Sequence, residues 1–115
     1  MTKPIKGTSL AAMFFNAAKP KSEKFDLVGV GEIDITELTE GEVSEVRKSI
    51  ESEKDIQVRG KLFGYGLVVK SAKLDGNPIF TDADIPLFSS AANAAVESLA
   101  SAVLKINGYG VDAGN

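Results

Sequence analysis

An apolar stripe with helical spacing marks the N-terminal part of the chain. Its residues recur at i, i+3, i+4 and i+7, as Leu10, Met13, Phe14 and Ala17. Thr8 or Ser9 can cap a helix that runs to about Ala18. Phe15 lies off this face, which indicates a second contact surface or a buried helix. The polar stretch that follows contains Pro20, which ends the helix and predicts a solvated linker.

A second pattern, of alternating β-branched and polar residues, covers residues 25–36. Ile33 and Ile35 alternate with polar neighbours, which is typical of a strand with one buried face and one solvated face. Residues 29–31 read Gly-Val-Gly and indicate a bulge or a tight turn. The segment therefore predicts two short strands near the start of the domain.

Two capping boxes predict where further helices begin. Thr39 and Thr81 are each followed by an acidic residue at the third position, which can return a hydrogen bond to the cap. The first box predicts a helix to about Glu53, with an apolar stripe of Val43, Val46 and Ile50. The second predicts a helix that is interrupted at Pro86.

The clearest helical pattern in the chain covers residues 90–107. Its apolar stripe keeps helical spacing over four turns, at Ala92, Val96, Leu99, Val103 and Ile106. Further alanines raise the helix propensity and allow neighbouring helices to approach closely. Asn107 and Gly108 predict the C-terminal cap of this helix.

Residues 55–70 fit a helix and a strand equally well. Helical spacing connects Val58, Leu62, Tyr65 and Val69, whereas strand spacing connects Phe63, Tyr65, Leu67 and Val69. Three glycines in the segment would each cost a helix about 1 kcal/mol relative to alanine. The residues alone leave both structures open.

A turn signal, Asp75-Gly76-Asn77-Pro78, predicts a hairpin or an extended loop over residues 68–80. Together these elements predict an α+β fold: a mainly helical single domain with a small N-terminal strand region. The predicted organisation is an N-terminal helix and linker over residues 1–24, a domain over residues 25–108 and a flexible tail over residues 109–115.

Composition excludes several kinds of chemistry. The 115 residues suffice for one domain with a modest core, and they include no cysteine, histidine or tryptophan. The chain therefore has no disulfide, thiolate zinc site, cysteine nucleophile or Ser-His-Asp triad. We expect a binding or structural protein rather than an enzyme, with no cofactor and no metal.

The charge is unevenly distributed along the chain. Residues 1–24 carry a net charge of +4, residues 25–55 carry −7, and the remainder is neutral. Only two arginines are present, so a basic face for nucleic acid is not expected. Since no stretch reaches the length of a membrane span, the sequence predicts no membrane segment.

Acidic residues at two places invite a chemical interpretation. Asp75, Asp82 and Asp84 faintly resemble a calcium loop, but glycine and apolar residues occupy the wrong positions, so a turn followed by a helix cap is expected. Glu32 and Asp34 share one strand face, as a pair of carboxylates for acid–base catalysis would. Such spacing is common in an acidic segment, and no catalytic residue is predicted.

The ordered set of motifs in the second half of the chain resembles a known family. Residues 65–85 read YGLVVKSAKLDGNPIFTDADI, and an alanine-rich helix ending in Ile106-Asn107-Gly108 follows. With the strand region that leads to Leu38-Thr39, this order is similar to that of the tail assembly chaperones of siphovirus-type, lambda-like long-tailed bacteriophages. The resemblance covers about residues 25–108.

The resemblance implies a non-enzymatic protein that coats and solubilises the phage tape measure protein. It also implies a homo-oligomer, recruitment of tail tube protein mainly through a frameshifted longer form, and a helix over residues 55–70. The implied location is the host cytoplasm during virion assembly, with the protein absent from the mature virion. A structural tail component, such as a tube or completion subunit, is the first alternative, and a small regulatory or enzyme domain is the second.

The N-terminal helix is the predicted partner-binding surface. Aromatic residues dominate protein interfaces, and the sequence cannot sort its six phenylalanines between core and surface. Because the N-terminal helix carries two of them on different sides, we predict that Met13, Phe14 and Phe15 contact a partner.

Overall fold

The computed structural model describes residues 9–110 of the chain. Thr8 and the part of the predicted tail from residue 111 onward lie outside this range. The elements in chain order are α1 (Leu10–Ala17), β1 (Ser22–Leu27), β2 (Gly31–Thr36), α2 (Glu40–Ile50), α3 (Ile56–Ser71), β3 (Ala72–Leu74), β4 (Asn77–Pro78), a 3-10 segment (Asp82–Ser90) and α4 (Asn93–Ile106). The predicted α+β, mainly helical fold is confirmed.

The four strands form one antiparallel sheet in the order β1-β2-β3-β4. Phe25 pairs with Ile33 between the first two strands, and Ile35 pairs with Ala72 across β2 and β3. The turn between β1 and β2 contains Gly29 with a φ of 80°, a conformation that glycine adopts without steric cost. The predicted split of this segment into two strands is therefore confirmed, and the later hairpin extends the same sheet.

The core lies between one face of the sheet and the helices. Ile33 and Ile35 are almost completely buried on β2, because strand alternation places both on the same face. Leu67 of α3 and Val103 of α4 are fully buried in the same cluster. The structure is thus a two-layer arrangement in which α3 and α4 cover the sheet.

The ambiguous segment, residues 55–70, is helical. Asp55 caps α3 by accepting hydrogen bonds from the backbone N–H groups of Gln57 and Val58 at 2.9 and 3.2 Å. Leu67, Val68 and Val69 are all buried, which neither a simple helical nor a simple strand pattern predicts. The ambiguity of the sequence pattern arises because α3 has neighbours on several sides. Its buried residues therefore do not follow the spacing of a single helix face.

The first capping box is present as predicted, whereas the second motif opens a 3-10 segment and not an α-helix. Thr39 and Glu42 exchange both hydrogen bonds at the start of α2. Before the 3-10 segment, the N–H of Thr81 donates to the carboxylate of Asp84 at 2.8 Å, whereas the N–H of Asp84 donates to the backbone carbonyl of Thr81 at 2.9 Å. The backbone bonds at both ends of this segment span three residues. Pro86 has no N–H to donate, which disfavours continuous α-helical hydrogen bonding here.

Several predicted boundaries were wrong by a few residues. β1 begins at Ser22, inside the predicted linker, because the polar end of β2 also pairs: Ser22 lies opposite Thr36. α2 ends at Ile50 instead of Glu53, and α4 begins at Asn93 instead of residue 90. The predicted hairpin over residues 68–80 begins only at Ala72, since the preceding residues belong to α3.

Candidate binding surfaces

The helix α1 contributes nothing to the core. Ser9 caps it by accepting a hydrogen bond from the N–H of Ala12 at 3.0 Å, so the helix begins where the sequence predicts. Every residue from 9 to 24 is exposed, and none of α1 belongs to the core cluster. An apolar helix with no buried residue is unusual in an isolated domain, so the apolar surface of α1 is available for a contact.

The predicted contact residues lie together on this exposed helix. Met13 is 44% exposed, Phe14 62% and Phe15 68%. The two phenylalanine rings meet edge to face, with centroids 5.1 Å apart and planes at 71°. Phe14 shares a face with Leu10, whereas Phe15 widens the apolar surface to a second side. Their role in binding stays a prediction, but the geometry leaves them free to bind.

A second apolar surface lies at the far end of β1. It is a groove of about 430 Å³, and we call it the α4 groove; its lining residues are Leu27, Ile79, Phe80, Asp84, Leu87, Phe88, Ala91, Ala95, Val96 and Leu99. Its size lies within the range of about 300–1,000 Å³ that is usual for ligand sites. One carboxylate, that of Asp84, stands among nine apolar residues.

Aromatic packing fixes the floor of the α4 groove. The ring of Phe88 contacts that of Phe80 edge to face at 5.3 Å between centroids. Phe88 also packs against Tyr65 of α3, with 5.0 Å between the ring centroids. Leu87 stays 62% exposed at the edge, so the groove presents a fixed aromatic floor and an open apolar edge.

Sequence reasoning missed the α4 groove. Its residues come from β1, the exit of β4, the 3-10 segment and α4, which are distant in the chain. Only the adjacent pair Leu87 and Phe88, directly after Pro86, gave a local signal. A short turn with two large apolar residues and few positions to bury them favours a surface patch.

The carboxylates that invited a catalytic interpretation have structural surroundings. The ammonium group of Lys24 lies 2.7 Å from Asp34, and this hydrogen bond and charge raise the pKa of Lys24. Glu32 lies on the same outer sheet face, which is open to solvent. The pair therefore belongs to a charged, solvated sheet surface.

The candidate calcium loop also has a structural explanation. Asp75 and Gly76 both have positive φ angles, 53° and 80°, and form the turn between β3 and β4. Asp84 returns its hydrogen bond to Thr81 within the capping box. Over residues 9–110 no cluster of three acidic residues is placed to hold a metal ion, and no helix in that range could span a membrane.

A third cluster surrounds Arg47 on α2. Its guanidinium lies over the rings of Phe63 and Tyr109, at 5.2 and 5.7 Å from their centroids. It also donates a hydrogen bond to the hydroxyl of Tyr109 at 2.7 Å. The cluster fastens the chain after α4 to α2 and α3, so its groups are already engaged within the domain.

Comparison with known proteins gave no match: no protein-family model, no curated protein and no solved structure matches the chain.

Proposed function

We propose that the chain is a non-enzymatic phage tail assembly chaperone that coats and solubilises the tape measure protein. In this proposal it acts in the host cytoplasm during virion assembly and is absent from the mature virion. A frameshifted longer form recruits tail tube protein. The resemblance of residues 25–108 supports the family, and the surfaces of the structure support a role in binding.

One observation carries the proposal: the core is complete without α1. The buried residues come from the sheet, the connection between β2 and α2, and the helices α2, α3 and α4. In α1, by contrast, Met13, Phe14 and Phe15 are exposed to solvent. Exposing such residues costs solubility, so their presence on a separate helix favours a contact with another chain. The proposal assigns to α1 such a contact.

A coat made of many small subunits has a physical rationale. A long helical protein exposes an apolar stripe that one small domain cannot cover. Many copies, each with a modest apolar surface, would cover it through combined binding even when every single contact is weak. The acidic stretch over residues 25–55 would keep the coated complex soluble.

The test is co-expression with the long, helical protein encoded beside this chain. We expect the partner to be insoluble alone and to co-purify with many copies of this chain. The double variant Phe14→Asp/Phe15→Asp should lower the yield of soluble complex, whereas Asn16→Asp, on another side of α1, should not. A partner that is soluble alone and does not co-purify would overturn the proposal and favour a structural tail subunit.

A further inference from the structure

The chain has two exposed apolar surfaces, the helix α1 and the α4 groove, and α1 does not line the groove. α1 has no buried residue, and the α4 groove is open along Leu87. We propose that α1 of one copy docks into the α4 groove of a second copy. This inference rests on the proposed function and deepens it, because it names a second copy within the coat as the chain that α1 contacts. Its observations are independent of any tape measure protein.

Chain geometry favours a second copy over the chain's own helix. Lys21 is fixed to the sheet: its N–H donates to Oε1 of Glu37 at 3.1 Å, and its carbonyl accepts from the N–H of Glu37 at 2.7 Å. Only residues 18–20 separate α1 from Lys21, so the Cα atoms of Ala17 and Lys21 lie at most about 14 Å apart.

Leu27, the β1 residue of the groove, lies six strand residues beyond Lys21, or about 20 Å away. With the linker fully straight and α1 continuing in the same line, the backbone of Phe14 would lie about 19 Å from Lys21. In its own chain α1 could therefore bring Phe14 to the groove only in this fully stretched arrangement along β1. A helix from a second copy has no such restriction and can place both phenylalanines in the groove.

The two surfaces match in chemistry. The residues of α1 carry no charge, and the groove is apolar apart from Asp84. Lys19 follows α1 directly and is exposed, so it can approach the carboxylate of Asp84 or Asp82 when the helix is docked. A basic residue beside the helix and acidic residues beside the groove would fix the direction of docking.

The area involved predicts a weak contact. Two phenylalanines with Leu10 and Met13 would cover about 500 Å² of α1, and both partners together about 1,000 Å², the lower limit for a specific interface. Because helix and groove are different surfaces, the contact is head to tail and leads to rings or to open helical assemblies. Weak, repeated contacts of this kind suit a coat that must later be removed.

The experiment uses two full-length variants with complementary defects, studied by sedimentation velocity. Phe14→Asp/Phe15→Asp removes the donor helix surface and keeps the groove. Leu87→Asp removes the groove edge and keeps the helix, at a residue that is 62% exposed. We expect the wild type to assemble with rising concentration and each variant to raise the dissociation constant at least about tenfold.

Mixing the two variants tests whether the helix of one copy binds the groove of another. One intact helix and one intact groove remain in the mixture, so we expect a heterodimer and nothing larger. Ile56→Asp, at an exposed residue outside the groove, should assemble like the wild type. Ala91→Glu gives a second groove variant, and a melting curve for each variant establishes that it is folded.

Three outcomes would overturn the inference. A wild type that stays monomeric at all concentrations would mean that the groove takes α1 of its own chain or a different partner. Assembly of Leu87→Asp and Ala91→Glu at wild-type strength would mean that α1 pairs with α1. A mixture without heterodimer would exclude the head-to-tail contact, and none of these results touches co-purification of the tape measure protein.

Discussion

The glycines of α3 differ in the space around them. A Cβ atom on Gly66 would lie 2.6 Å from Cγ1 of Val46, a residue of α2 that is only 3% exposed. A Cβ atom on Gly60 would meet nothing within 4 Å. Gly66 therefore permits the close packing of α2 against α3, whereas Gly60 only lowers the helix propensity.

We expect substitution by alanine to have opposite effects at these two positions. Gly60→Ala should stabilise the domain by about 0.5–1 kcal/mol, because the unfolded chain loses freedom and no contact is disturbed. Gly66→Ala should destabilise it by about 1–3 kcal/mol, because Val46 is buried and has little room to move. Urea denaturation followed by circular dichroism measures both changes in the free energy of unfolding. If both substitutions stabilised the domain, or both destabilised it, the close packing of Gly66 against Val46 would be contradicted.

Asn107 connects three parts of the core through one side chain. Its Oδ1 accepts a hydrogen bond from the N–H of Leu38 at 2.7 Å. Its Nδ2 donates to the carbonyl of Val103 at 2.9 Å and to the hydroxyl of Ser71 at 3.3 Å. Ser71 is the only buried polar side chain within residues 9–110, and Asn107 is its hydrogen-bond partner.

Removing this amide should leave buried polar groups without partners. Asn107→Ala is expected to cost about 1–3 kcal/mol in free energy of unfolding, since the N–H of Leu38 and the hydroxyl of Ser71 lose their bonds. Asn93→Ala, at an exposed position in the first turn of α4, should change stability far less. Thermal unfolding of both variants tests this, and a similar cost for both would remove the special role of Asn107.

At the scale of elements, α1 and α4 are opposites. α4 buries Leu99 and Val103 against the sheet and α3, whereas α1 buries no residue. Both carry an apolar stripe with the same spacing, so the stripe alone does not say whether a helix belongs to the core. The difference lies in what each helix meets after the chain has folded.

The two helices should therefore respond differently to substitution. Leu99→Ala should lower the free energy of unfolding by about 2–5 kcal/mol, because it leaves a cavity beneath α4. Phe14→Asp/Phe15→Asp should leave the unfolding midpoint of the monomer unchanged, measured by denaturation at low protein concentration. A clear loss of stability in the double variant would show that α1 packs against the domain in solution.

How far the sequence predicts the structure depends on how local each feature is. The capping box at Thr39 and the turn at Asp75-Gly76 depend on residues within one or two turns, and these predictions were accurate. The start of β1 at Ser22 depends on its distant partner Thr36, and the sequence placed it three residues too late. The candidate binding surfaces follow the same rule. The sequence predicts the surface on α1, which is formed by one short segment, but not the α4 groove, which combines four separate elements.

For the whole molecule, the two faces of the sheet have different roles. The inner face carries the core, whereas the outer face carries charged residues such as Lys24, Glu32 and Asp34. A charged outer face resists pairing with other sheets and keeps an assembly of many copies soluble. Self-association by helix docking would leave this face in contact with water.

A head-to-tail assembly has a property that a symmetric dimer lacks: a single defective subunit can stop its growth at one end. A copy with Phe14→Asp/Phe15→Asp still accepts a neighbour's helix in its groove but offers none of its own, so no further copy can follow it. We expect about one part in ten of this variant to shorten wild-type assemblies well beyond its own share, as measured by mass photometry. The matched control Asn16→Asp should enter the assemblies and leave their length unchanged. If the doped mixture showed only the loss that dilution of the wild type produces, growth would not pass through α1, and the coat would have to form by another surface.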